Sequence, residues 1–292
     1  MLSSGLALPA SAQPSSCSLE QLHLLKSAEL TYRRLSNILY DGRYRFYYTF
    51  TVECGIGHVV NPLYIYDPQK TQGTYAIVSW QLDSSKNIIG VPDPCLDFTA
   101  PPCYSVFYYH ADTTLPLNPF GYIATVLACC NPGYTNLYMD TTEIFTYQDP
   151  TMIGPYKDSC TPDPGKDFAA NGMSAFVRIR PINNPSDVNS SPQFIGQDTI
   201  LFVAKDSLFS NRVYAIDPDG DSLAYHFSRP YTFNLTWVCG ISGPCVYAMV
   251  TKTPMPQLYF APGYSVTQPA GPNLTLDPLT GSLKGSIPDT NI

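Results

Sequence analysis

Charged side chains are scarce in this 292-residue chain: Asp, Glu, Lys and Arg make up 13% of it, against about 25% in an average soluble domain. The hydrophobic share is 44%, so the scarcity does not mean disorder, which needs low hydrophobicity as well. The 16 Lys and Arg residues are scattered, and the nearest approach to a basic cluster is Arg33, Arg34, Arg43 and Arg45. With a formal net charge of −7 and no dense basic face, the chain has no means of releasing counterions from a nucleic acid. No apolar run approaches the roughly 20 residues of a membrane span. CxxC pairs are missing, and the four histidines do not gather with cysteines, which argues against a zinc site. Also missing are G-x-S-x-G, phosphate loops and dinucleotide fingerprints. Glutamates number four, and a glycosidase needs two carboxylates across a cleft. Glu53 and Glu143 are the pair that stays open, but Glu53, beside Cys54 at a strand end, reads as structural.

What the chain has in quantity is turn-formers and tyrosine: 28 prolines, 19 glycines and 22 tyrosines. Long helices have little room, and many short strands are expected. Tyr44, Phe46, Tyr48 and Phe50 lie two apart, the period of a strand with one buried face. Asp41-Gly42 ahead of them is a hairpin-turn pair. Residues 74–82, 103–110, 121–130 and 174–181 repeat the style, and a two-turn helix is possible over Ser18–Lys26. Further strands are expected at 199–204, 209–216, 222–228, 235–239, 245–250 and 257–260. Between the two groups, residues 181–192 form a polar, Pro-punctuated stretch of the kind that separates domains. Near the start, Ala10-Ser11-Ala12 has the small-x-small form of a signal-peptidase site.

One turn stands out. Asp217, Asp219 and Asp221 alternate along Asp217-Pro218-Asp219-Gly220-Asp221, and Asp277-Pro278-Leu279-Thr280-Gly281 echoes it about sixty residues later. Carboxylates at such spacing suit calcium, a hard cation that wants several oxygen ligands. Gly220 is misplaced for an EF-hand, and Ser228 stands where that loop needs Glu. Any calcium site would therefore combine Asp217, Asp219 and Asp221 with acids elsewhere, such as Asp277. The plainer reading is an Asx-turn whose carboxylates cap local amides.

Nine cysteines point to disulfides. Cys95 and Cys103 bracket one Pro-rich loop, and Cys239 and Cys245 bracket another tight turn, so each pair is expected to staple its own loop. Cys129-Cys130 are neighbours whose side chains leave opposite faces of a strand, so each should pair elsewhere, with Cys54 and Cys160 as candidates. Cys17 is left over. Tyr104, Tyr108 and Tyr109, with Tyr47, Tyr64 and Tyr66, offer a candidate aromatic platform for sugars. The competing reading has them filling cores with hydroxyls at the rim.

The Asp217–Tyr225 turn together with Thr280–Gly285 resembles cadherin-like modules of the dystroglycan type, which implies an immunoglobulin-like sandwich. Glu29-Leu30-Thr31-Tyr32-Arg33, the Tyr-rich run ending in Cys54, Asp93-Pro94-Cys95, Ala128-Cys129-Cys130-Asn131, Asn189-Ser190-Ser191-Pro192 and Ala261-Pro262-Gly263-Tyr264 resemble, in the same order, a secreted surface module of Bacteroidetes gliding-motility-associated proteins exported by type 9 secretion. This chain departs from the pattern at Val188, where the module usually carries Cys. The resemblance implies an all-β chain of tandem immunoglobulin-like β-sandwiches, disulfide-stapled. The expected organisation is a signal-peptide remnant (1–12), a linker (13–27), an N-terminal sandwich (28–186) and a cadherin-like sandwich (187–292) truncated at its end. The implied role is a non-catalytic, extracellular cell-surface module for adhesion or spacing, with other surface modules, proteins or glycans as partners. The alternative is a glycan-binding accessory module of a secreted polysaccharide-degrading enzyme.

Overall fold

From Tyr44 to Val52 every second residue is large and apolar, and that alternation builds the strand to which the others are added. In the computed structural model, residues 25–37, 41–55, 60–69, 75–89, 103–129, 137–138, 172–181, 188–196, 206–231, 234–239, 245–250 and 257–287 are described. Every regular element among them is a strand, and every ladder is antiparallel. Among the described residues no helix is long and apolar enough to cross a membrane. The possible helix at 18–26 falls mostly outside the described residues, and its last two positions belong to a strand.

Strand β1 (Leu25–Asn37) pairs with β2 (Asp41–Glu53). On its other edge β2 pairs without a break with β6 (Cys103–Pro116), from Asp41 opposite Pro116 to Glu53 opposite Tyr104. β5 (Gln81–Ile89) completes a four-stranded sheet of order β1-β2-β6-β5. The second four-stranded sheet has the order β4-β3-β7-β9, from β3 (Leu63–Tyr66), β4 (Ala76–Val78), β7 (Tyr122–Cys129) and β9 (Gly172–Ile179). The two sheets share one core. Tyr44, Phe46, Tyr48 and Phe50 of the first sheet join Leu63, Ile65, Tyr122, Ala124 and Ile179 of the second, all buried. Among these, Phe46, Phe50, Leu63, Ile65 and Ile179 each contribute about 1.5–3 kcal/mol by leaving water.

The run 74–82, expected as one strand, divides between the sheets. β4 pairs with β3, whereas β5 pairs with β6. Trp80 pins the crossing, its Nε1 donating to the Asn61 carbonyl at 3.0 Å and its ring lying 5.6 Å from that of Tyr48. A second correction concerns Gly42. The β1–β2 hairpin expected at Asp41-Gly42 is formed there, but Gly42 already belongs to the ladder, opposite Asn37. A Cβ at Gly42 would meet Cε2 of Tyr44 at 2.7 Å, so glycine is needed there because the tyrosine ring lies over the backbone.

The cysteines need a third correction. Cys103 is bonded to Cys54, with Cα atoms 5.3 Å apart, and not to Cys95. Cys54 is thereby also removed as a partner for Cys129 or Cys130. The long β2–β6 register is the cause: it sets Glu53 opposite Tyr104, and the Cys54 amide donates to the Cys103 carbonyl at 3.0 Å. Cys239 and Cys245 stand opposite each other at the end of the ladder between β13 (Asn234–Cys239) and β14 (Cys245–Val250). Cys129 is the last residue of β7, while Cys17, Cys95, Cys130 and Cys160 lie outside the described residues.

In the C-terminal part, β10 (Gln193–Ile195) pairs with β12 (Tyr214–Ile216), and β17 (Ser282–Gly285) lies between β11 (Phe209–Arg212) and β16 (Thr275–Leu276). β15 (Tyr259–Phe260) pairs with β8 (Leu137–Tyr138). The strand expected at 222–228 forms no ladder. Leu223, Tyr225 and Phe227 do alternate toward the interior. However, the Tyr225 amide donates to the Pro278 carbonyl, and its hydroxyl accepts from the Ala215 amide. A turn carbonyl takes the place of a partner strand. The expected strand at 199–204 lies outside the described residues.

Candidate functional site

The aspartate turn is held by its own backbone. Asp217 Oδ1 accepts the amides of Asp219 at 2.9 Å and Asp221 at 3.3 Å, while Gly220 N donates to the Asp217 carbonyl. Glycine is required at the corner, where φ is +83°. Asp277 builds a second Asx-turn, accepting the amides of Leu279 and Thr280, both at 2.9 Å, and those bonds lower its pKa. Asp219 and Asp221 reach out of the turn. Asp219 Oδ2 accepts the Ser190 amide at 2.5 Å, and Asp221 Oδ2 lies 3.7 Å from Nη1 of Arg180. No group of three or more His, Cys, Asp or Glu is placed to share a metal ion among the described residues. The four acids of the calcium expectation are instead each engaged with an amide or a guanidinium.

Residues 188–196 are docked along the edge of β1 by Tyr32 and Glu29. Ser191 N donates to the Tyr32 carbonyl, and Tyr32 N donates to Ser191 Oγ at 2.8 Å. Asn189 Nδ2 donates to Tyr32 Oη at 3.3 Å and to the Ser190 carbonyl at 2.6 Å. Further along, Phe194 N donates to Glu29 Oε1 at 3.1 Å. Ser190 and Ser191 are buried. Burial raises the Glu29 carboxyl to about 7, with the Phe194 amide opposing the shift. The Asn-Ser-Ser-Pro motif, which the sequence presents as linker, is thus a seam hydrogen-bonded on two sides.

Where this seam meets β1 and β9, a cavity of about 340 Å³ opens, lined by Tyr32, Arg34, Tyr44, Ile179, Arg180, Pro181, Val188, Asn189 and Asp221. Arg34 is only 5% exposed and its Cζ lies 6.0 Å from the centre of the Tyr44 ring. Tyr44 is 0% exposed, and its buried hydroxyl has no hydrogen-bond partner among the described residues. Burial pushes that hydroxyl up to about 12, with the charge of Arg34 pulling the other way, so it stays protonated near neutrality. The sequence contains one sign of this site. Leu30, Tyr32 and Arg34 share the buried register of β1, and an arginine in an apolar register needs a polar cavity or partner.

The tyrosines expected to form one platform are split. Tyr104 and Tyr108 lie opposite Glu53 and Thr49, which puts them on the face of the first sheet that carries Tyr47. They flank Val106, which is fully buried, and Lys86 Nζ sits 5.9 Å from the Tyr108 ring centre. Tyr109 turns the other way, opposite Tyr48, and stacks on Phe50 at 5.8 Å. Tyr66 is buried, and Tyr64 belongs to the second sheet. On the same outer face Asp112 receives Arg45 Nε and Nη2 at 2.7 and 2.8 Å and Arg43 Nη2 at 3.1 Å. These guanidiniums hold its carboxyl down at about 2. Glu53 closes β2 beside the disulfide, and Glu143 lies outside the described residues. Comparison with protein-family models, curated proteins and solved structures gave no match.

Proposed function

We propose that the chain is a non-catalytic, extracellular module of a larger surface protein, built as tandem immunoglobulin-like β-sandwiches and serving adhesion or the spacing of neighbouring modules. One observation carries this reading: the carboxylate of Asp219 is committed to the seam, where its Oδ2 accepts the Ser190 amide. A motif used this way fixes one part of the chain against another, which a spacer requires. The Cys54–Cys103 disulfide supports an oxidising, extracytoplasmic location. The resemblance to gliding-motility-associated surface modules points to the same compartment. Adhesion by such a chain rests on many weak contacts, with avidity compensating for modest single-site affinity.

A second reading, a glycan-binding accessory module, is favoured by Tyr47, Tyr104 and Tyr108 sharing one sheet face. A glycan array probed with soluble chain and with bead-displayed chain separates the two. Retention of the beads alone is expected of an adhesive module. Saturable binding of soluble chain to one glycan, lost in Tyr108→Ala, would replace it with the second reading. Small-angle scattering tests the spacer role, since Asp219→Ala should broaden the distance distribution. An unchanged profile would remove the seam as the basis of the proposal.

A further inference from the structure

We infer that the outer face of the first sheet binds an acidic polysaccharide, with Arg33, Arg43 and Arg45 holding its anionic groups and Tyr47, Tyr108 and Tyr104 carrying its sugar rings. The proposal names a partner for adhesion, and it rests on the sheet face of the glycan-binding reading.

The alternation that buries Tyr44, Phe46 and Tyr48 turns Arg43, Arg45 and Tyr47 outward. Arg33 stands directly opposite Arg45, and Arg45 directly opposite Asp112, so one row of charges crosses β1, β2 and β6. The Asp112 carboxylate turns both oxygens to Arg45 and Arg43. Arg33 is exposed and has no partner among the described residues. Arg43, its side chain 55% exposed, gives Asp112 only Nη2. Three guanidiniums therefore surround one carboxylate, on a chain whose net charge is −7. Further along the face Asp83 is bonded to Nδ1 of His110, and Glu29, Glu53 and Lys86 lie toward the opposite end. Like charges facing each other across a ladder weaken it, and an anion between Arg33 and Arg45 would offset that cost. The planar guanidinium fork matches such a group in two-point contact.

The rest of the face selects a sugar polymer. Thr114 lies opposite Arg43, and Thr49 opposite Tyr108, which places hydroxyls among the cations and the rings. Tyr47, Tyr108 and Tyr104 are each partly exposed. From Asp112 to Tyr104, β6 runs about 27 Å, at about 3.4 Å per residue. That length suits a chain laid along the strand rather than a single sugar. A tyrosine ring offers its face to C–H bonds while its hydroxyl hydrogen-bonds, and Lys86 beside Tyr108 carries positive charge along the same path. An acidic peptide fits less well. The backbone groups of β2 are spent on β1 and β6, and those of β6 on β2 and β5. No further strand can join this face, so recognition rests on side chains. A small inorganic anion would use the arginines and leave the tyrosines idle.

Calorimetric titration of the full chain with polygalacturonate, dextran sulfate, neutral dextran and polyglutamate tests this. Both acidic polysaccharides are expected to bind at least about tenfold more tightly than dextran, which offers the guanidiniums no charge. Their binding should weaken as salt rises from about 50 to about 200 mM. Polyglutamate, with no ring to stack on tyrosine, should bind about fivefold more weakly than either. Arg33→Ala and Arg43→Ala should each lower the affinity for the acidic polysaccharides about threefold, and together about tenfold. Both residues are exposed, so these variants should keep the wild-type unfolding midpoint. Tighter binding of dextran sulfate would assign sulfate groups to the arginines, and tighter binding of polygalacturonate would assign carboxylates. Equal affinity for dextran would overturn the acidic partner and leave the glycan-binding reading standing, whereas no binding of any polysaccharide would remove both. Polyglutamate binding as tightly as the polysaccharides, or affinities unmoved by the double variant, would also overturn the proposal.

Discussion

Raising the pH through the neutral range should cost the folded chain stability through one residue, Glu29. Its carboxyl is partly buried beside β2 and accepts the Phe194 amide at 3.1 Å, and burial lifts its pKa from 4.5 to about 7. Because the folded value lies above the unfolded one, the group favours the folded state fully below pH 4.5. That contribution falls away as the pH rises to about 7 and is absent above it. The interval between the two values, at about 1.4 kcal/mol per pH unit, corresponds to about 3 kcal/mol as an upper figure. Glu29→Gln keeps an acceptor for Phe194 but cannot ionise. Urea unfolding of the oxidised wild type and of this variant, from about pH 4 to about pH 8, isolates the effect. Other titrating groups are common to both proteins and cancel in the difference. The variant should gain on the wild type as pH rises, by about 2–3 kcal/mol across the range. A difference that stays flat within about 0.5 kcal/mol would refute a buried, proton-sensitive Glu29, and with it the docking of Phe194 on β1.

Three further outcomes are expected. Peptide mapping without reduction should recover Cys54 joined to Cys103, and Cys54→Ser should destabilise by up to about 4 kcal/mol, the chain-entropy value for a separation of 49 residues; a Cys95–Cys103 peptide would contradict the β2–β6 register. Gly121→Ala should destabilise by more than about 2 kcal/mol on thermal unfolding, because Gly121 has φ +70° and a Cβ there would lie 2.1 Å from the Ile179 carbonyl oxygen. Millimolar calcium should leave the unfolding midpoint unchanged, since Asp217, Asp219, Asp221 and Asp277 are each engaged by amides or Arg180; a rise that Asp219→Asn abolishes would make the turn a metal site.

Period-two alternation is a local property, and it was enough to predict which face of β2 is buried, from Tyr44 to Phe50. Turn chemistry is equally local, and Asp217-Pro218-Asp219-Gly220 could be read as an Asx-turn from its residues alone. Long-range pairing could not. Short spacing suggested that Cys103 closes its own loop with Cys95, but a disulfide forms where strands bring two Cβ atoms together, and the β2–β6 ladder brings Cys54. Alternation does not reveal a strand's partner either, so 74–82 divides between two sheets at Trp80 and 222–228 has no ladder at all. Adjacent tyrosines in β6 face opposite sides of a sheet, which separates Tyr109 from Tyr104 and Tyr108. The cavity depended most on tertiary structure. Arg34 and Tyr44 already face each other across the β1–β2 ladder, but Arg180 and Asn189, distant in sequence, join them only in the tertiary structure, where the hydrogen bonds of Tyr32 and Ser191 fix the 188–196 seam on β1.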